Sequence, residues 1–212
     1  MKPGTWDVLA PLSNRDFVRL WLANGLWWQA MWMEMMVLGW LALELTDSPW
    51  WVQVIGFYRS IPLLLIGLLG SGITDRFKRR HLVLTLQAAN VVAALALALL
   101  LWSGNLKFWH LSVVALAMGS TWALDWPTRR SMIPDLIGKA HTVDAMVLEN
   151  FIQGFTRISG PLAAGYIIAV YGNLGALIVL VGLGLLASLS LSGLKTDSKA
   201  PIKSVGISAT WT

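Results

Sequence analysis

Four ionisable residues, Glu34, Arg59, Glu149 and Arg157, stand inside long apolar runs, and Asp125 stands near the end of another. An ionised side chain in hydrocarbon costs at least about 2.5–3.5 kcal/mol on insertion scales, so each needs a partner or water. Groups in such places pair with one another, bind a polar substrate or relay protons. Glu149, Gln153 and Arg157 recur every four residues and form one polar stripe on a predicted helix, with Asn150 adjacent. The stripe either neutralises itself as a Glu–Arg pair that fixes packing, or it walls a central cavity. At 100° per residue, Trp21, Asn24, Gly25, Trp28 and Trp32 share one helical face, and Trp27 and Glu34 lie together on the opposite one. One of these faces lines something wet, unless the tryptophans simply pack between helices. Glu34, Trp27, Arg59, Glu149, Gln153 and Arg157 are the candidates for a substrate or proton cavity.

Other chemistries are poorly supplied. The chain has no cysteine and three histidines, His81, His110 and His141, all near predicted segment ends. Disulfides, thiolate zinc sites and cysteine nucleophiles are excluded, and neither a metal nor a cofactor is expected. The H-E-x-x-H pattern of zinc peptidases and the phosphate-cradling G-x-x-x-x-G-K-[ST] loop are both missing from the sequence. An intramembrane serine protease needs G-x-S-G and a histidine within a span, whereas Ser71 has Leu69 two residues before it. An enzyme is not expected.

The elements that position these residues follow from composition. Of 212 residues, 56% are hydrophobic and 13% charged, and the mean hydropathy is +0.64. Soluble domains carry roughly 25% charge, so a 23.3 kDa chain of this kind takes the bilayer as its solvent. A span needs about 20 apolar residues. Leu82 to Leu106 holds one charge-free stretch; Ile158 to Leu194 holds another, too long for one crossing and broken at Tyr171-Gly172-Asn173. Six helices are predicted, at 17–44, 50–73, 82–103, 109–127, 142–170 and 174–194, between a polar segment at 1–16 and a polar tail at 195–212. Thr46-Asp47-Ser48-Pro49 and Ser103-Gly104-Asn105 supply turn chemistry between them.

Basic residues orient the bundle. One set of segments holds Lys2, Arg15, Arg19, Arg76, Lys78, Arg79, Arg80, Arg129, Arg130, Lys139, Lys195, Lys199 and Lys203; the opposite loops hold Lys107. This asymmetry predicts both termini in the cytoplasm of a multi-pass cell-membrane protein. It also accounts for the pI near 9.8 without nucleic acid. Trp50, Trp51, Trp102 and Trp109 fall at the opposite ends, as an interfacial aromatic belt should.

The segment Gly70-Ser71-Gly72-Ile73-Thr74-Asp75-Arg76-Phe77-Lys78-Arg79-Arg80 resembles the G-x-x-x-D-R-x-G-R-R signature between the second and third helices of the major facilitator superfamily. Ser71 and Lys78 stand where that signature has glycines. Trp40 to Pro49, Ala123 to Pro134 and Arg157 to Gly165 look like the branch holding siderophore and drug exporters, the last resembling the G-P-x-x-x-G element of antiporters. The resemblance implies an all-α integral membrane fold, the six-helix half of a facilitator built as a 3+3 inverted repeat. It implies a gating motif of Gly72, Asp75, Arg76, Arg79, Arg80 and Asp125, in which Arg76 and Arg79 exchange between Asp75, Asp125 and a helix end of the opposite half. It implies flexing of the fifth helix at Gly160, Pro161 and Gly165.

The function so implied is secondary active transport by alternating access: efflux of a small amphipathic organic molecule, coupled to protons. The expected partners are the lipid bilayer, the substrate, the proton, and either a missing second half or a second copy in a homodimer. The alternative is a non-transporting membrane subunit or an inactive truncated fragment of a twelve-helix transporter.

Overall fold

The computed structural model describes residues 8–69 and 78–193, which are almost wholly helical. Helix α1 spans Arg15–Thr46, α2 Pro49–Leu69, α3 Arg79–Trp102, α4 Phe108–Ile137 and α5 Thr142–Ser192. Asn14 caps α1, its Oδ1 accepting from the N–H groups of Asp16 at 2.9 Å and Phe17 at 3.2 Å. Asp47, left-handed at φ 50°, closes α1 by donating its N–H to the Leu43 carbonyl. The continuous run α5 contains one residue with non-helical angles, Gly172 at φ 72° and ψ 179°. Glycine adopts that conformation without a Cβ clash, so the expected turn divides α5 into two helical segments.

Helix α4 differs from expectation. It does not stop at Pro127 but continues through Pro134 to Ile137, where Gly138 at φ 71° donates its N–H to the Pro134 carbonyl. Neighbouring groups hold the extension in place: Arg129 bonds Asn24 of α1, Arg130 bonds Asn150 of α5, and the Ser131 carbonyl accepts from Arg79. Interior prolines are tolerated where packed neighbours offset the lost backbone bond.

Close approach sets the packing. A Cβ on Gly160 of α5 would collide with Trp32 of α1, and one on Gly119 of α4 would overlap the Arg59 carbonyl of α2. Gly184, beyond the Gly172 break, meets Val91 of α3 in the same manner. Small residues let helix backbones touch where hydrophobicity supplies no net drive between helices. The outside is apolar: Phe151, Phe155, Ile158, Leu162 and Tyr166 of α5 are each more than half exposed. By length and composition, α3 and α5 qualify as membrane-crossing helices. At about 1.5 Å per residue, α1 is about 48 Å long, more than the roughly 30 Å of hydrocarbon.

The two ends of the bundle carry different chemistry. At one end Arg19 donates to the Gly193 carbonyl at 3.0 Å, Arg80 to the Ser192 carbonyl, and Asn14 to the Leu136 carbonyl at 3.0 Å. At the other, Trp51 meets Phe108 edge-on with centroids 4.8 Å apart, and Asn173 donates to Glu44. Trp50, Trp102 and Trp109 are strongly exposed, as headgroup-level rings are.

Candidate functional site

Two buried polar centres lie inside the helices. The first joins α1, α4 and α5. Glu149 is 3% exposed and accepts from Asn24 Nδ2 at 3.1 Å and Trp28 Nε1 at 3.0 Å. Asn24 turns its other atom, Oδ1, to Arg129 Nη1 at 2.8 Å. Arg129 Nε in turn donates to Asp125 at 2.5 Å, one helical turn earlier on α4. The guanidinium also lies 5.1 Å from the Trp27 ring centroid. Asp125 and Arg129 are 0% and 1% exposed. One buried cation thus stands between two buried carboxylates: it bonds Asp125 directly and reaches Glu149 only through Asn24.

The second centre is an ion pair of α1 and α2. Arg59 Nη1 donates to Glu34 Oε1 at 2.6 Å with both side chains about nine-tenths buried, and Arg59 lies 5.9 Å from the Trp122 ring. Beside it, a cavity of about 30 Å³ is lined by Trp27, Glu34, Asn90 and Met118 among others. That is room for a water molecule, and the carboxylate and amide are partners it would need. Asn90 accepts from the Thr121 hydroxyl at 2.8 Å. Trp27 touches both centres, because its ring lines this cavity and faces Arg129.

The two faces anticipated on α1 have separate jobs. Trp21 donates to the Leu148 carbonyl at 3.1 Å, Gly25 abuts Ile152, and Trp28 bonds Glu149, so this face packs on α5. The Trp27–Glu34 face turns to the cavity. Glu149, Gln153 and Arg157 do not act as one stripe. Four residues advance a helix by about 40° beyond a full turn, so Glu149 is buried, Gln153 half-buried and Arg157 exposed. No Glu149–Arg157 pair forms; Arg157 lies 5.3 Å from the Trp32 centroid instead.

The gating residues are also redistributed. Arg79 does not reach Asp125. Its Nη1 donates to Asp135 at 2.6 Å and to the Ser131 carbonyl at 2.8 Å, because α4 runs on far enough to bring Asp135 beneath α3. Arg80 bonds the Ser192 carbonyl. Gly72, Asp75 and Arg76 lie outside the described residues. Helix α5 passes Gly160, Pro161 and Gly165 without a non-helical residue; Gly160 is wedged against α1, while nothing lies within 4 Å of where a Gly165 Cβ would stand.

Arg129 and Asp135 are neighbours of the candidate site that the sequence left without a role, and Asn24 and Trp28 were legible in it only as members of a shared α1 face. The Asp125–Arg129 spacing of four on one helix, and Trp122, Trp126 and Arg130 at the same interval, were the available signals. They depend on α4 continuing past Pro127.

Two comparisons with known proteins bear on this arrangement. The chain is 28% identical over 141 residues to the Staphyloferrin A transporter of Staphylococcus aureus, a match covering 66% of this chain and 36% of that protein. The chain therefore spans only a fraction of the length of the curated relative it matches. The family model for the transmembrane secretion effectors of the major facilitator superfamily matches residues 6–196. With all-helical architecture and charges buried between helices, that nearly complete match shows that the chain belongs to this branch of the major facilitator superfamily, a family of membrane transporters.

Proposed function

We propose that the chain forms the six-helix amino-terminal half of a proton-coupled exporter of small amphipathic organic molecules, with both termini in the cytoplasm. The observation that carries the coupling is Glu149. It is a buried carboxylate whose bonding partners among the described residues, Asn24 and Trp28, are neutral, while the adjacent guanidinium is committed to Asp125. A proton arriving at Glu149 removes an imperfectly compensated charge and leaves the Asp125–Arg129 pair intact. Losing it restores the charge and strengthens the pull on Arg129 through Asn24. Such an exchange gives a bundle two electrostatic states to alternate between. Glu34, the water-sized cavity and Trp27 supply a polar route towards the same group.

The packing supports an inverted repeat. If the units are α1–α3 and α4 with the two segments of α5, the Gly160 contact of α5 on α1 exchanges with the Gly119 contact of α4 on α2. The Gly184–Val91 contact joins the third members of both units. In the superfamily such halves work in pairs about an axis along the membrane normal, so a second half, or a second copy of this chain, completes the cavity.

The test is flux in inside-out membrane vesicles. With the protein present, an imposed proton gradient should drive accumulation of ethidium, and adding ethidium should dissipate the gradient. Glu149→Gln should abolish the proton movement and reduce gradient-driven accumulation to the passive level, while the protein remains in the membrane at the same amount. Unchanged, gradient-driven flux in Glu149→Gln would overturn the coupling role. Absence of flux for a panel of amphipathic dyes with the intact protein would favour a non-transporting subunit.

A further inference from the structure

Four arginines lie over four tryptophans: Arg59 over Trp122, Arg129 over Trp27, Arg130 over Trp126 and Arg157 over Trp32. Three of these cations have an acceptor within the bundle. Arg59 has Glu34, Arg129 has Asp125, and Arg130 has the side-chain Oδ1 of Asn150 at 2.7 Å. Arg157 differs. Among the described residues its recorded interaction is the ring of Trp32, and its side chain is exposed.

Its depth makes this exposure informative. Arg157 is fifteen residues after the start of α5 at Thr142 and fifteen before the break at Gly172. At about 1.5 Å per residue that places it about 22 Å from either end of the segment, at the level of the hydrocarbon core. An exposed guanidinium there is costly against lipid tails, and charges at such depth almost always face a bundle interior or a water-filled cavity. It borders a recess of about 290 Å³ between α1 and α5, lined by Trp32, Met35, Met36, Arg157 and Pro161. The recess has one cation and otherwise aromatic, thioether and aliphatic walls. The indole N–H of Trp32 is buried and has no acceptor among the described residues. The Arg157 guanidinium is therefore the charged donor at the recess, with no carboxylate among its lining residues.

We propose that this recess is a substrate subsite for organic carboxylates, in which Arg157 binds the carboxylate and Trp32, Met35 and Met36 receive the apolar body. A guanidinium matches a carboxylate in a planar, two-bond geometry, and an indole beneath it fixes its plane by cation–π attraction. Methionines adapt to bodies of different shape. The assignment deepens the transport reading, since it uses that reading to place the recess beside water rather than lipid. A neutral or cationic amphiphile gains the apolar contacts but leaves Arg157 without an acceptor.

Binding is measured with the intact protein in lipid nanodiscs, without a proton gradient, by energy transfer from tryptophan to pyrene. The probes are pyrenebutyrate and its neutral amide, which share one apolar body. At neutral pH the acid should bind about tenfold more tightly than the amide, as a charge-assisted bond that the amide lacks. Arg157→Gln should remove this preference while amide binding stays within about twofold, which also reports that the recess is still formed. Arg157→Lys, retaining charge without the planar fork, should keep part of the preference. Equal binding of acid and amide by the unaltered protein overturns the subsite, and is the result expected if an acidic residue of a second half already neutralises Arg157. So does a preference that survives Arg157→Gln. Neither result touches dye flux or its dependence on Glu149, whereas acid-selective binding by a protein that moves neither the dyes nor pyrenebutyrate would overturn transport and leave the subsite standing.

Discussion

The Glu34–Arg59 pair carries charge compensation on the α1–α2 side of the bundle, and its geometry makes each partner dependent on the other. Both groups are buried, and the bond is 2.6 Å long. Removing one partner strands the other, which in buried pairs destabilises by about 3–5 kcal/mol. Arg59→Gln should therefore lower the thermal midpoint of the protein in nanodiscs by many degrees, and Glu34→Gln likewise. The double variant should recover most of the loss, because two neutral amides leave no orphan charge. Equal or additive losses in the double variant would show that the pair does not act as a unit. Asn24 is a different kind of residue, since it carries no charge yet faces both Arg129 and Glu149. It positions two charged groups, and nothing in its own type distinguishes it from an ordinary polar residue within a helix.

Helix-level behaviour depends on where backbones touch. Gly119 and Gly160 sit at crossings where a Cβ meets backbone or a neighbouring Cβ, whereas a Cβ on Gly165 meets nothing. Gly160→Ala should separate α1 from α5 and loosen the Glu149 bonds to Asn24 and Trp28. Gly119→Ala should push α2 from α4 and disturb the Glu34–Arg59 pair. Gly165→Ala should be neutral or slightly stabilising, since alanine is about 1 kcal/mol better than glycine within a helix. Thermal midpoints of the three variants check the order, and a Gly165→Ala loss as large as that of Gly160→Ala would contradict the packing. The helix pattern itself was largely legible in the sequence: apolar run lengths gave the helices, and Gly172 marked the division of α5. The end of α4 was not legible. Proline and basic residues after Asp125 read as a loop, and only contacts from α1, α3 and α5 keep that stretch helical.

For the whole molecule, the basic end and the tryptophan-bearing end define an axis. The chain has no cysteine, so a single introduced cysteine reports its side of the membrane without background. In intact cells, Asn105→Cys should react with a membrane-impermeant maleimide, and Lys139→Cys should react only after permeabilisation. The reverse pattern would invert the proposed orientation. Arg157, exposed at mid-depth, and the recess beside it belong to this scale too, since the proposed transport path places them beside water.

Hydropathy, charge asymmetry and a few motifs determined that this chain is a helical membrane protein of the major facilitator kind, because those signals are local and additive along the chain. They also identified which charges required an explanation. Partner choice was decided by tertiary structure. Arg79 pairs with Asp135 rather than Asp125, Glu149 rests on Asn24 and Trp28 rather than on Arg157, and Arg157 is left open. The physical reason is that a hydrogen bond acts over about 3 Å. Nearly three further turns of α4, or about 40° of rotation between successive members of the α5 stripe, change which groups come within that reach.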